Sequence, residues 1–181
     1  MWWYASRIVL TLLLAVTPPG AAMALDLGNT AWETAGARQR LDPVLLYAIA
    51  IVESGRDQAD GIAPHPYAFN FQGRGSRFAQ DEREAQAILA ARQDQGRVDV
   101  GAMQISLRHH RHRVSKPEDL LDLTTNIEVA AAILRNAIDS APGDLTLGVG
   151  RYHSYRKDRA RAYGELALTV YRNLIALQLK D

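Results

Sequence analysis

The chain has 181 residues, with 21 lysines and arginines against 20 aspartates and glutamates and no cysteine. The lack of cysteine excludes disulfides, thiolate metal sites and a lipid-modified leader. A formal net charge of +1 lacks the strong basic excess that a duplex partner demands, so no nucleic acid is expected as a ligand.

Residues 1–24 have the pattern of an export signal. Arg7 supplies a positive start, residues 8–16 form an apolar run too short to span a bilayer, and Pro18, Pro19 and Gly20 break it. Ala22, Met23 and Ala24 then place small residues where a signal peptidase reads. A cleaved signal predicts a periplasmic domain over residues 25–181; retention of the segment as an N-terminal anchor is the alternative. The remaining 157 residues, balanced at 20 basic and 20 acidic, suit one domain with a substantial core.

The elements beyond the leader read mostly as helix. Thr30 and Glu33 have capping-box spacing and open a short helix ending near Leu41. Asp42 and Pro43 are an N-cap and first-turn proline, and residues 44–53 continue as a helix with Leu45, Ile49 and Val52 on one stripe and Gly55 as its stop. Tyr67, Phe69 and Phe71 then alternate with Ala68, Asn70 and Gln72 before the turn Gly73-Arg74-Gly75. A small β-hairpin is therefore expected near residues 67–79. Asp81 and Glu84 open a helix reaching toward Gly96, and Thr125 and Glu128 open another carrying Ile127, Ala131, Leu134 and Ile138. Two more helices are expected at residues 145–153 and 159–179. The fold class is mostly α, a helical domain with a small β insertion.

Three places carry candidate chemistry. Glu53 ends an apolar helix, where the negative end of the helix dipole and an apolar setting both oppose ionisation. A carboxyl so placed keeps its proton as a general acid must, although a solvated glutamate at a helix end has the same local sequence. The segment Gly101-Ala102-Met103-Gln104-Ile105-Ser106 combines a turn glycine with an amide able to meet sugar hydroxyl or acetamido groups, while Met103 and Ile105 point to the core. Tyr152-His153-Ser154 ends a helix with a ring that can lie on a sugar face or anchor the last helix.

Taken in order, these segments and Asn126-Ile127 resemble the lysozyme-like lytic transglycosylases, within them most similar to the subset encoded with conjugation and type IV secretion machinery. Pro66-Tyr67-Ala68-Phe69-Asn70, Val98-Asp99-Val100-Gly101 and Gly150-Arg151-Tyr152-His153-Ser154 carry the likeness, which covers residues 41–171. The resemblance implies that Glu53 is the catalytic acid/base and that Ser54 orients it or the sugar. It implies that Met103 and Gln104 form the floor and polar contact of a saccharide groove, and that Tyr152 faces the carboxyl. His153 stands where many relatives carry asparagine, Ala102 where a bulkier aliphatic residue is common, and Ala131 where glycine is frequent.

Glycoside cleavage ordinarily uses two carboxylates, and Asp57 and Asp60 read as turn residues, which leaves Glu53 alone. One carboxyl suffices where the substrate's acetamido group assists. The implied substrate is the glycan strand of peptidoglycan, the implied product a 1,6-anhydromuramic end, and the implied setting a secretion or conjugative pilus apparatus whose subunits would be partners. No cofactor is needed. His109 and His112 have no further ligand at suitable spacing, so Arg108 to Arg113 reads as a basic rim rather than a metal site. A hydrolytic muramidase on the same fold and a non-catalytic peptidoglycan-binding subunit are the alternatives.

Overall fold

The computed structural model describes residues 25–59, 61–72, 75–91 and 97–179. The expected leader, Asp60, the Gly73-Arg74 turn and the stretch toward Gly96 lie outside those residues. The fold is mostly α with small antiparallel sheets, as the residue pattern predicts.

Helix α1 (Ala31–Gln39) begins at Thr30, whose hydroxyl accepts from the Glu33 amide at 3.4 Å. The reciprocal carboxylate bond goes one residue further back than a regular capping box, to the Asn29 amide at 2.7 Å. Helix α2 (Pro43–Ser54) starts on Asp42, which caps the Val44 amide at 2.8 Å. Leu46, Ala48, Ile49 and Ala50 are all fully buried, so α2 is apolar on nearly every side and runs through the middle of the domain. Burying each large side chain on it contributes roughly 1.5–3 kcal/mol. Trp32 of α1 meets Tyr47 of α2 edge to face, with ring centres 5.3 Å apart.

At its C-terminus α2 passes directly into a hairpin, β1 (Gly55–Gln58) against β2 (Gly61–Pro64). The second sheet has the order β4-β3-β5-β6, all antiparallel, from β3 (Ala68–Phe71), β4 (Gly75–Phe78), β5 (Val98–Val100) and β6 (Ile105–Ser106). The β3–β4 pair is the hairpin expected from the aromatic alternation. Ala68 and Phe69 are both buried, however, so this strand is covered on two faces where its pattern suggested one.

Helix α3 (Glu82–Ala90) is capped by Asp81, which accepts from the Glu84 amide at 2.7 Å. Beyond the sheet come α4 (Leu107–His110), two short 3₁₀ turns at Arg111–Arg113 and Pro117–Leu121, and α5 (Leu123–Asp139). The capping expectation for α5 needs correction. Asp122, not Thr125, is the N-cap and accepts from the Thr125 amide at 2.8 Å, while Glu128 ion-pairs with Arg38 of α1. An aspartate one turn earlier takes the capping role, its carboxylate accepting from both the amide and the hydroxyl of Thr125.

Helix α6 (Leu145–Gly150) is shorter than expected, and residues 151–153 form turns. Helix α7 (Lys157–Gln178) packs along both α6 and α2. The α6–α7 approach is backbone to backbone: a Cβ on Gly150 would lie 1.7 Å from the Ala160 carbonyl oxygen, and one on Gly164 2.0 Å from that of Thr146. Tyr171 of α7 ties back to the start of α2 by donating to Asp42 at 2.7 Å.

Candidate active site

The end of α2, the turn between β5 and β6, and the α6–α7 junction converge on Glu53. Glu53 is half-buried, and the Tyr163 hydroxyl donates to its Oε1 at 2.6 Å. Burial raises the carboxyl from its ordinary 4.5 to about 7; the Tyr163 bond opposes the rise and the nearby charge of Asp99 adds to it. Because Oε1 accepts from tyrosine, the proton of the neutral acid resides on Oε2. The Tyr163 hydroxyl is held well above its ordinary range by burial and by the adjacent Glu53, so it remains a donor at all physiological pH.

Ser54, next along the helix, is 3% exposed, and its hydroxyl is fully engaged. It donates to the Ala102 carbonyl at 2.7 Å, lies 3.2 Å from that of Ala50, and accepts from the His65 amide at 3.1 Å. Ser54 therefore pins the end of α2 to the 101–104 turn and to the segment after β2.

That turn is held from the other side by Asn126 of α5, which is 1% exposed. Its amide donates to the Val100 and Leu120 carbonyls, each at 3.0 Å, and accepts from the Met103 amide at 2.9 Å. Gly101 has φ +83, and a Cβ there would lie 2.2 Å from Asn126 Nδ2, so glycine is required on two counts.

Met103 is fully buried beneath the turn. Gln104 adopts φ +47, with its amide nitrogen donating to the Gly101 carbonyl at 2.9 Å and that of Ala68 at 3.1 Å. With both donors directed inward, its amide oxygen is what remains to meet a ligand.

Tyr152 donates to the Met103 carbonyl at 2.7 Å, which fastens the α6 end to the same turn. Burial and then the charges of Glu53 and Asp99 raise its hydroxyl well above the ordinary range. His153 is exposed and stacks flat on Tyr163, with centroids 4.8 Å apart and planes 2° apart. Its imidazole is shifted down by burial of the stacked ring and then by Arg159.

Three residues here were given no role by the sequence, although Asn126 and Asp99 lie in segments that carry the family likeness. Tyr163 sits inside a long amphipathic helix where a tyrosine reads as core, and Asn126 reads as a helix-opening residue. Asp99 lies in a strand of three residues, too short for a period to show. It pairs with Ser106 in the sheet and accepts from Asn70 at 3.2 Å. Burial raises its carboxyl, opposed by Ser106, whose Oγ lies outside hydrogen-bond geometry, then by Asn70 and the charge of His109.

Helices packed about one buried helix, a small antiparallel sheet at that helix's end and a carboxyl pushed up by burial at the junction define a lysozyme-like domain. The Transglycosylase SLT domain family model matches residues 30–165, and the chain belongs to that family of glycan-cleaving lytic transglycosylases. The matched span contains Glu53, the 101–104 turn, Tyr152, His153 and Tyr163. No curated protein and no solved structure matches the chain.

Proposed function

We propose that this protein cleaves the β-1,4 bond between N-acetylmuramic acid and N-acetylglucosamine in peptidoglycan, with Glu53 as acid and then base. The observation that carries this reading is a carboxyl raised to about 7 and held through Oε1 by Tyr163. A group with that pKa retains a large protonated fraction at neutral pH and also accepts a proton readily once ionised.

Glu53 Oε2–H protonates the bridging oxygen while the bond from that oxygen to the muramic anomeric carbon breaks. The 2-acetamido oxygen covers the carbon as charge develops. Carboxylate Glu53 then takes the proton of the muramic C6 hydroxyl, whose oxygen closes on the anomeric carbon to give a 1,6-anhydro end. Gln104 offers its amide oxygen to the bound sugar and Met103 underlies that contact. Tyr152 positions the turn through the Met103 carbonyl, and His153 presents its exposed face. Ser54 serves by orientation, since its hydroxyl is spent inside the protein. The pattern of residues 1–24 supports periplasmic action after export, and the resemblance to conjugation-associated relatives supports local opening of the wall for such an apparatus.

A hydrolytic muramidase is the second reading, favoured by one observation: Asp99 is a second carboxyl close enough to raise Glu53, and such a pair can activate water. Digestion of purified sacculi by wild type and Glu53→Gln tests the proposal. Glycan release by the first and not the second is expected, and release by both would refute it.

A further inference from the structure

A basic concentration, Arg108 to Arg113, leaves the sheet beside the site. Leu107 is buried and anchors α4, while Arg108, His109, Arg111, His112 and Arg113 are exposed. Arg111 shapes the segment by donating to the Val114 and Ser115 carbonyls at 2.8 and 2.9 Å, and Val114 packs on the core. The segment is thus a held rim rather than a loose loop. Its charges converge: burial, then Arg113, His109 and His112, push the His110 imidazole down to about 4. The rim also adjoins the site, because α4 follows directly on β6, whose Ser106 pairs with Asp99 of β5, and these two strands flank the 101–104 turn.

A bare glycan strand offers such a rim only the single lactyl carboxylate of each muramic acid. A stem peptide ties up that group as an amide and brings several carboxylates of its own, beside the bond to be cut. On the reading that peptidoglycan is the substrate, we propose that the Arg108–Arg113 rim binds stem-peptide carboxylates, so that peptide-bearing strands are preferred over bare ones. Complementary charge placed next to a site selects among otherwise identical chains.

The test uses the full chain carrying Glu53→Gln to prevent turnover, titrated with soluble glycan oligomers before and after enzymatic removal of the stems. Two exposed charge contacts predict about fivefold tighter binding of the stem-bearing oligomer at low salt, a preference that shrinks at high salt. Adding Arg108→Gln with Arg113→Gln should erase the preference, while Arg83→Gln, an exposed charge on α3, should leave it in place. Equal binding of the two oligomers by the parent, or a preference that survives the double substitution, would overturn the proposal. Failure of the underlying reading shows elsewhere: wild type would cleave neither oligomer, whereas the rim is read from binding alone.

Discussion

Replacing Glu53 with glutamine should make the protein more stable at alkaline pH while removing its activity. The Glu53 carboxyl ionises near 7 in the folded chain against 4.5 when exposed. Between those values the folded state keeps a proton that the unfolded state has released, so stability falls as pH rises through the interval. Below about pH 4.5 both states are protonated and no penalty exists; above about 7 the full penalty stands. A gap of about 2.5 pH units corresponds to about 3 kcal/mol. Glutamine is neutral throughout and its carbonyl oxygen can still accept from Tyr163, so the variant carries no such penalty. Urea unfolding at pH 8 should show Glu53→Gln about 3 kcal/mol more stable than wild type, and near pH 4 the two should coincide. Cleavage should meanwhile fall by about 10³-fold or more. A stability difference independent of pH would refute a carboxyl raised by its burial.

Tyr163→Phe removes the bond that favours ionised Glu53, so the carboxyl should rise further and the alkaline limb of the kcat/KM profile should move up by about one unit. An unmoved limb would deny the bond its role. Asn126→Ala leaves two buried carbonyls and one amide without partners and should cost about 3 kcal/mol in urea unfolding; a loss below about 1 kcal/mol would mean that the 101–104 turn is held otherwise. Gly101→Ala should destabilise on its own, and the double variant with Asn126→Ala should cost less than the sum, because the clash partner has gone. His153→Ala should lower kcat by loosening Tyr163, with His153→Phe restoring it through a flat ring; equal losses in both would assign the imidazole a polar contact instead.

The helices were legible because their signals are local. Asp42-Pro43 caps α2 as its sequence states, and the unbroken apolar run after it can only be a buried helix or strand. The aromatic alternation likewise gave the β3–β4 pair. The β1–β2 hairpin was not legible: Arg56, Asp57 and Gln58 are all exposed, so no buried face leaves a period. Strands β5 and β6 have three and two residues, below the length at which alternation means anything.

In the site, Glu53 was legible through its place at the end of an apolar helix. Its tyrosine partner lies 110 positions away in sequence, and nothing local distinguishes Tyr163 from a core residue. Asn126 stood out only through the family likeness, and its bonding role was hidden, since its three bonds go to Val100, Met103 and Leu120, all supplied by tertiary contact. What the residue pattern could suggest of Ser54 was a role near the acid; only the fold shows its hydroxyl turned inward.

The central claim is tested most directly by mass spectrometry of the muropeptides released from purified sacculi by the wild-type protein. The account predicts 1,6-anhydromuramic ends, each lighter by one water than the hydrolysed equivalent and resistant to borohydride reduction. Reducing muramic ends from the same digest would contradict it, and would move the second step from the C6 hydroxyl to a water activated beside Asp99.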